Sequence, residues 1–220
     1  MTRQPLSFLL TCARYALVAS LPLLSCGALY AVPIANGGVQ FPAVGETNPV
    51  GATLVFSTGP VAFASATFSG TLRSSVWTND SSSPYGANSL TFMYEIINAA
   101  SSPDAIGRLT VSSFDGYQTD ASFLPAPGPT PPTFISRSAN GAVMGFGFVS
   151  PGLAPNSNAA PLVVQTNSTV WAPTLASLID GSVTTAASVA PVRVPEPATL
   201  ALLGVGGLAV MASARRRKAA

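Results

Sequence analysis

Seventeen residues from Ala198 to Ala214 carry no charge, and four cations, Arg215, Arg216, Arg217 and Lys218, follow at once. A segment inside a bilayer has no water for its backbone, so each amide and carbonyl must bond within the helix. At about 1.5 Å per residue the run is roughly 25 Å long, the lower end of what spans a hydrocarbon core. Cations just beyond such a run hold that end in the cytoplasm. Ahead of it stands Pro195-Glu196-Pro197. Pro197 suits a first helical turn, where its missing N–H costs nothing, and Glu196 favours the positive end of the helix dipole. Whatever folds in this chain therefore precedes residue 194 and is delivered across a membrane.

The other end reads as a secretory signal peptide over residues 1–31. Arg3 and Arg14 supply positive charge, Tyr15 to Leu24 the apolar region, and Ala28 the better cleavage position, with Ala31 the poorer one. Leu23-Leu24-Ser25-Cys26 also resembles a lipoprotein processing box, and an uncleaved anchor is a further alternative. Both cysteines, Cys12 and Cys26, fall in this segment, and the chain has no histidine. Cleavage after Ala28 thus removes disulfides, thiol nucleophiles, Cys or His metal sites and His-based catalysis from consideration.

Between Val32 and Val194 the cations are Arg73, Arg108, Arg137 and Arg193, against Glu46, Asp80, Glu95, Asp104, Asp115, Asp120 and Asp180. Four against seven leaves a net charge of −3 and no basic patch for nucleic acid. Low charge with many β-branched residues favours strands over disorder. Ala52–Ser57 and Val61–Phe68 alternate, with Phe56, Phe63 and Phe68 as core anchors and Gly59-Pro60 as a turn between them. Phe68–Trp77 continues. Leu90–Ile97 is the clearest strand, with Leu90, Phe92, Tyr94 and Ile96 on one face and Met93, Glu95 and Ile97 on the other. Ile106–Phe114, Phe134-Ile135, Ala142–Val149, Leu162–Thr166, Val170-Trp171 and Ser182–Val189 complete the set, and Thr174–Ile179 reads as one helical turn. The expected architecture is all-β: a single antiparallel β-sandwich over 32–193, jelly-roll or immunoglobulin-like, flanked by the signal helix and the transmembrane helix. Leu124–Thr133 holds five prolines in ten residues and is either a linker or, as preferred, a surface loop.

Few residues point to chemistry. Asp115 and Asp120, with Asp104 nearby, are the calcium candidates, since hard oxygen ligands in a loop suit that ion. Their spacing lacks the dense Asp-x-Asp-x-Asp-Gly pattern, and the alternative is a turn at Asp115-Gly116 that Asp120 caps or solvates. Glu95 would need a second carboxylate for glycoside hydrolysis, and its place on the polar face of a strand suits simple exposure. A Ser-His-Asp triad has no histidine, and the sole lysine is Lys218. Gly145 and Gly147 interrupt a strand pattern and suit close packing. Tyr85, Trp77, Tyr117 and Trp171 offer flat rings with polar handles for sugars, or else plug the core. Thr110 and Thr184-Thr185 are too scattered for the flat threonine array that ice binding needs.

Val194-Pro195-Glu196-Pro197-Ala198-Thr199-Leu200-Ala201-Leu202-Leu203-Gly204, followed by glycines and the arginine cluster, resembles the PEP-CTERM sorting domain. The same tail resembles the C-terminal domain assigned to ice-binding proteins. The sorting resemblance implies processing near Pro195, Glu196 and Pro197 by an exosortase, a membrane transpeptidase-like cysteine protease, and covers residues 194–220. Leu90–Asn98, Ile106–Ser113, Phe114–Phe123 and Leu162–Asn167 also resemble blocks that recur in the exported parts of such proteins. The expectation is a bacterial protein exported by Sec, anchored by its C-terminal helix until processing, and then placed at the cell surface or outside. Its expected role is structural or adhesive, in surface or extracellular matrix, without catalysis or cofactor. The alternative is a carbohydrate-binding module that uses exposed aromatics, polysaccharide as partner and calcium as an aid.

Overall fold

The computed structural model describes residues 33–45 and 51–192. The signal peptide read at 1–31, the spanning helix at 198–214 and the basic stop at 215–218 lie outside them. In chain order the first six strands are β1 (Val39–Gln40), β2 (Thr53–Ala64), β3 (Ser69–Thr78), β4 (Thr91–Asn98), β5 (Arg108–Val111) and β6 (Thr119–Phe123). The rest are β7 (Phe134–Arg137), β8 (Met144–Gly147), β9 (Ser157–Asn158), β10 (Leu162–Thr166), β11 (Trp171–Asp180) and β12 (Ser182–Pro191). They form two antiparallel sheets, ordered β1-β7-β8-β5-β11-β12 and β2-β3-β4-β10-β6, with β9 beside β4. No helix occurs among the described residues.

Period-two alternation decides which side of each strand is buried. In β4, Phe92, Tyr94 and Ile96 point inward and are fully buried, while Ile97 faces out at 47 % exposure. Register carries that layer sideways: Val76 and Leu72 of β3 face Phe92 and Ile96, and Val164 and Leu162 of β10 face Phe92 and Tyr94. Opposite them, Leu109 of β5 lies between Phe146 of β8 and Leu178 of β11. Both sheets contribute to one apolar core. Phe92 meets Phe114 edge-on, with ring centroids 6.1 Å apart. Each such side chain contributes about 1.5–3 kcal/mol by leaving water. Two polar ties cross the core: Tyr94 Oη donates to the carbonyl of Val189 (2.9 Å), and Ser74 Oγ meets Ser188 Oγ (2.9 Å).

Two local expectations are corrected. Gly59-Pro60 is not a turn: β2 runs through it as one strand against β3, with irregular register between Leu54 and Phe56 and between Ser57 and Pro60. A glycine at φ +67° and a proline without an N–H are what a bulge on an edge strand uses. Thr174–Ile179 is not a helical turn but the middle of β11, paired with β12 along its length and with β5 from Ala176 to Ile179. Hydrogen bonding from both sides overrides the helix-tolerant Leu-Ala-Ser-Leu composition. Strands β1, β6 and β9 join the set read from sequence. The proline-rich segment 124–133 does not separate two units, because β5 pairs with β8 and β6 with β10 across it.

Glycines let neighbouring parts approach. Opposite Gly145 and Gly147 on β8, Arg108 lies 5.9 Å from the centroid of the Phe134 ring. A Cβ at Gly145 would come within 2.5 Å of Arg108 Nη2, and one at Gly147 would overlap the Phe134 ring. A Cβ at Gly70 of β3 would instead overlap the backbone carbonyl of Ile97, which cannot swing away. Gly70→Ala is therefore expected to cost about 1–3 kcal/mol, and Gly147→Ala less, since Phe134 can rotate. Urea unfolding midpoints compare them; equal losses would contradict the backbone-clash argument.

Candidate functional site

The processing residues Pro195, Glu196 and Pro197, the basic stop Arg215, Arg216, Arg217 and Lys218, and the signal-cleavage positions Ala28 and Ala31 lie outside the described residues. The calcium candidates do not share a loop. Asp115 is half-buried in the turn after Phe114, whereas Asp120 is buried inside β6, opposite Gln165. Asp120 is therefore not a solvated residue of that turn. No group of three or more His, Cys, Asp or Glu that could hold a metal occurs among the described residues. Glu95 forms an ion pair with Arg73 on the outer face of its sheet.

Sequence reading missed two buried charges. Asp80 is 1 % exposed beneath the loop from Asn79 to Ser89. Its Oδ1 accepts from the Ser82 amide (3.0 Å) and hydroxyl (2.6 Å), and its Oδ2 from Thr91 Oγ1 (2.7 Å) and Gln165 Nε2 (2.9 Å). Four donors on one carboxylate fix the loop to the sheet and leave no lone pair for acid–base work.

Arg137 is the second. Ile135 of β7 points into the core, so Arg137, two residues on, points the same way at the core rim, where it is 7 % exposed. Four backbone carbonyls replace its water: Gly141 on Nε (3.1 Å), Ile34 on Nη1 (3.1 Å), and Phe114 (3.0 Å) and Tyr117 (2.7 Å) on Nη2. The rigid guanidinium fork suits such a set. Burial lowers the Arg137 pKa, with nearby Tyr85 acting to raise it. Tyr117 then ties in the other end of the domain, because its Oη donates to the carbonyl of Val192 (2.7 Å). On the opposite side, the amide of Ile34 donates to Thr119 (3.0 Å). Ile34 and Val192, close to the two ends of the described region, are therefore both held on the segment from Tyr117 to Thr119.

Beside this clasp lies a cavity of about 350 Å³ whose wall includes Tyr85, Tyr117, Asn36, Gln118, Thr119 and Arg137. Burial first, then Asp120, push the Tyr85 hydroxyl up to about 12, while Arg137 pulls it down. Of the four aromatics considered for sugar binding, the structure brings Tyr85 and Tyr117 together here. Trp77 is elsewhere, donating from Nε1 to Ser75 Oγ (2.9 Å), and Trp171 stacks on Phe56 at 4.5 Å against the core.

Residues 193–218 match the PEP-CTERM protein-sorting motif, beginning at the residue after Val192. The motif implies an exported protein, anchored in the membrane and then processed by an exosortase. No curated protein and no solved structure matches the chain.

Two outcomes follow from the clasp. Arg137→Met leaves four carbonyls without their donor and is expected to lower stability by about 3–5 kcal/mol, with Arg137→Lys recovering only part; urea unfolding measures both. Burial also raises the Tyr94 hydroxyl above its usual value. A folded pKa above the unfolded one means full stability below pH 10, lost progressively as pH rises from about 10 towards 12 for Tyr85. Tyrosinate absorbance followed alongside circular dichroism should show these two phenols ionising last, with unfolding.

Proposed function

We propose that the described region is a β-sandwich ectodomain, and that the protein is a non-catalytic structural or adhesive component of the bacterial cell surface or extracellular matrix. It is exported by Sec, held by the C-terminal helix until an exosortase acts at Pro195-Glu196-Pro197, and then displayed or released. One observation carries this reading: β12 ends at Pro191 and the sorting motif starts at residue 193, so the folded domain is joined to its sorting signal without a spacer. The absence of histidine from the whole sequence supports a non-enzymatic role. So does the use of Asp80 and Glu95 in loop anchoring and ion pairing. A second reading, a carbohydrate-binding module with polysaccharide as partner, is favoured by the convergence of Tyr85 and Tyr117 on one cavity.

The sorting reading is tested by intact mass of the protein from native cells. Wild type is expected to begin near Leu29 or Val32 and end near Pro195. Replacing Pro195-Glu196-Pro197 with three alanines should give a species that retains residues 198–220 in the membrane fraction. Unchanged mass and location of that variant would refute exosortase handling.

A further inference from the structure

We propose that the cavity between Tyr85, Tyr117 and Arg137 binds a neutral saccharide of one or two rings, with the two tyrosines as its stacking surfaces. The inference rests on the carbohydrate-binding reading and gives it a site and a ligand class.

The cavity, at about 350 Å³, falls in the range of small-molecule sites. A sugar ring presents C–H faces and a rim of hydroxyls that both donate and accept. Phenol rings meet the first need. The side-chain amides of Asn36 and Gln118, each with two donors and an acceptor, meet the second. The Tyr85 hydroxyl is buried out of a ligand's reach, so Tyr85 offers the cavity its ring and not its hydroxyl.

Charge argues for a neutral ligand. The guanidinium of Arg137 is directed at the carbonyls of Gly141, Ile34, Phe114 and Tyr117 rather than into the cavity. Both rings are held before any ligand arrives. Tyr117 is fixed by Val192 and Arg137, and Tyr85 rides on the loop anchored through Asp80. Preorganisation of this kind reduces the ordering cost of binding.

The test uses the full chain in detergent, titrated with glucose, galactose, mannose, N-acetylglucosamine, cellobiose and chitobiose, read by calorimetry and by saturation-transfer NMR. At least one sugar should bind saturably with a Kd of about 1 mM, as expected for a dozen non-hydrogen atoms at ordinary ligand efficiency. Tyr85→Ala should weaken binding about tenfold or more. Tyr117→Phe keeps the ring but releases it from Val192, and should weaken binding less than Tyr85→Ala does; it stands in for Tyr117→Ala where that variant fails to fold. Trp77→Ala should leave binding unchanged. Loss on Trp77→Ala or Trp171→Ala with retention on Tyr85→Ala would overturn this site but keep the carbohydrate reading. Glucuronate binding tighter than glucose would overturn the neutral class. No saturable binding across the panel would overturn both the site and the reading it rests on.

Discussion

Tyr94 stands in the middle of β4 with its ring fully buried, and its hydroxyl reaches across the core to the carbonyl of Val189. Apolar burial is non-directional and would accept many offsets between two greasy sheets. A phenol in the same core accepts few, because an unpaired hydroxyl or carbonyl there costs about 1–3 kcal/mol. The contact between Ser74 and Ser188 adds a second fixed point between β3 and β12. Together they set where the sheets meet, and the apolar layer of Phe92, Ile96, Leu109 and Phe146 packs around that setting. With no cysteine between Val32 and the end of the chain, these directional contacts take the part that disulfides play in many exported domains.

The strand pattern was legible wherever one face is dry and the other wet. Residues 90–97 show this best, since Phe92, Tyr94 and Ile96 are buried and Ile97 is exposed, as period two requires. Legibility failed where one residue type serves two structures. Glycine and proline mark turns and bulges alike, so the course of β2 through Gly59-Pro60 could not be read locally. Residues 174–179 are a strand because β5 and β12 lie on either side, which no window of that sequence contains. Asp80 and Arg137 were invisible for a similar reason. Their partners lie as far away as Gln165 and Ile34, and only the fold brings them near. The paired tyrosines were legible as residue types but not as a pair; the tryptophans drew equal attention and sit elsewhere.

Charge is scarce in this domain, and much of it is engaged in contacts within the fold. Asp80 fastens a loop, Arg137 gathers turns, and Arg73 meets Glu95 on a sheet face. Arg108 lies beside the Phe134 ring and donates to Ser136.

The junction at Tyr117 also has a mechanical meaning. Ile34 bonds to Thr119 and Val192 to Tyr117, so both ends of the described region are held on one short segment. A pull from the C-terminal side meets the Tyr117–Val192 and Val192–Val170 hydrogen bonds first. Because β12 ends at Pro191, the load then passes straight from that junction into the sheet.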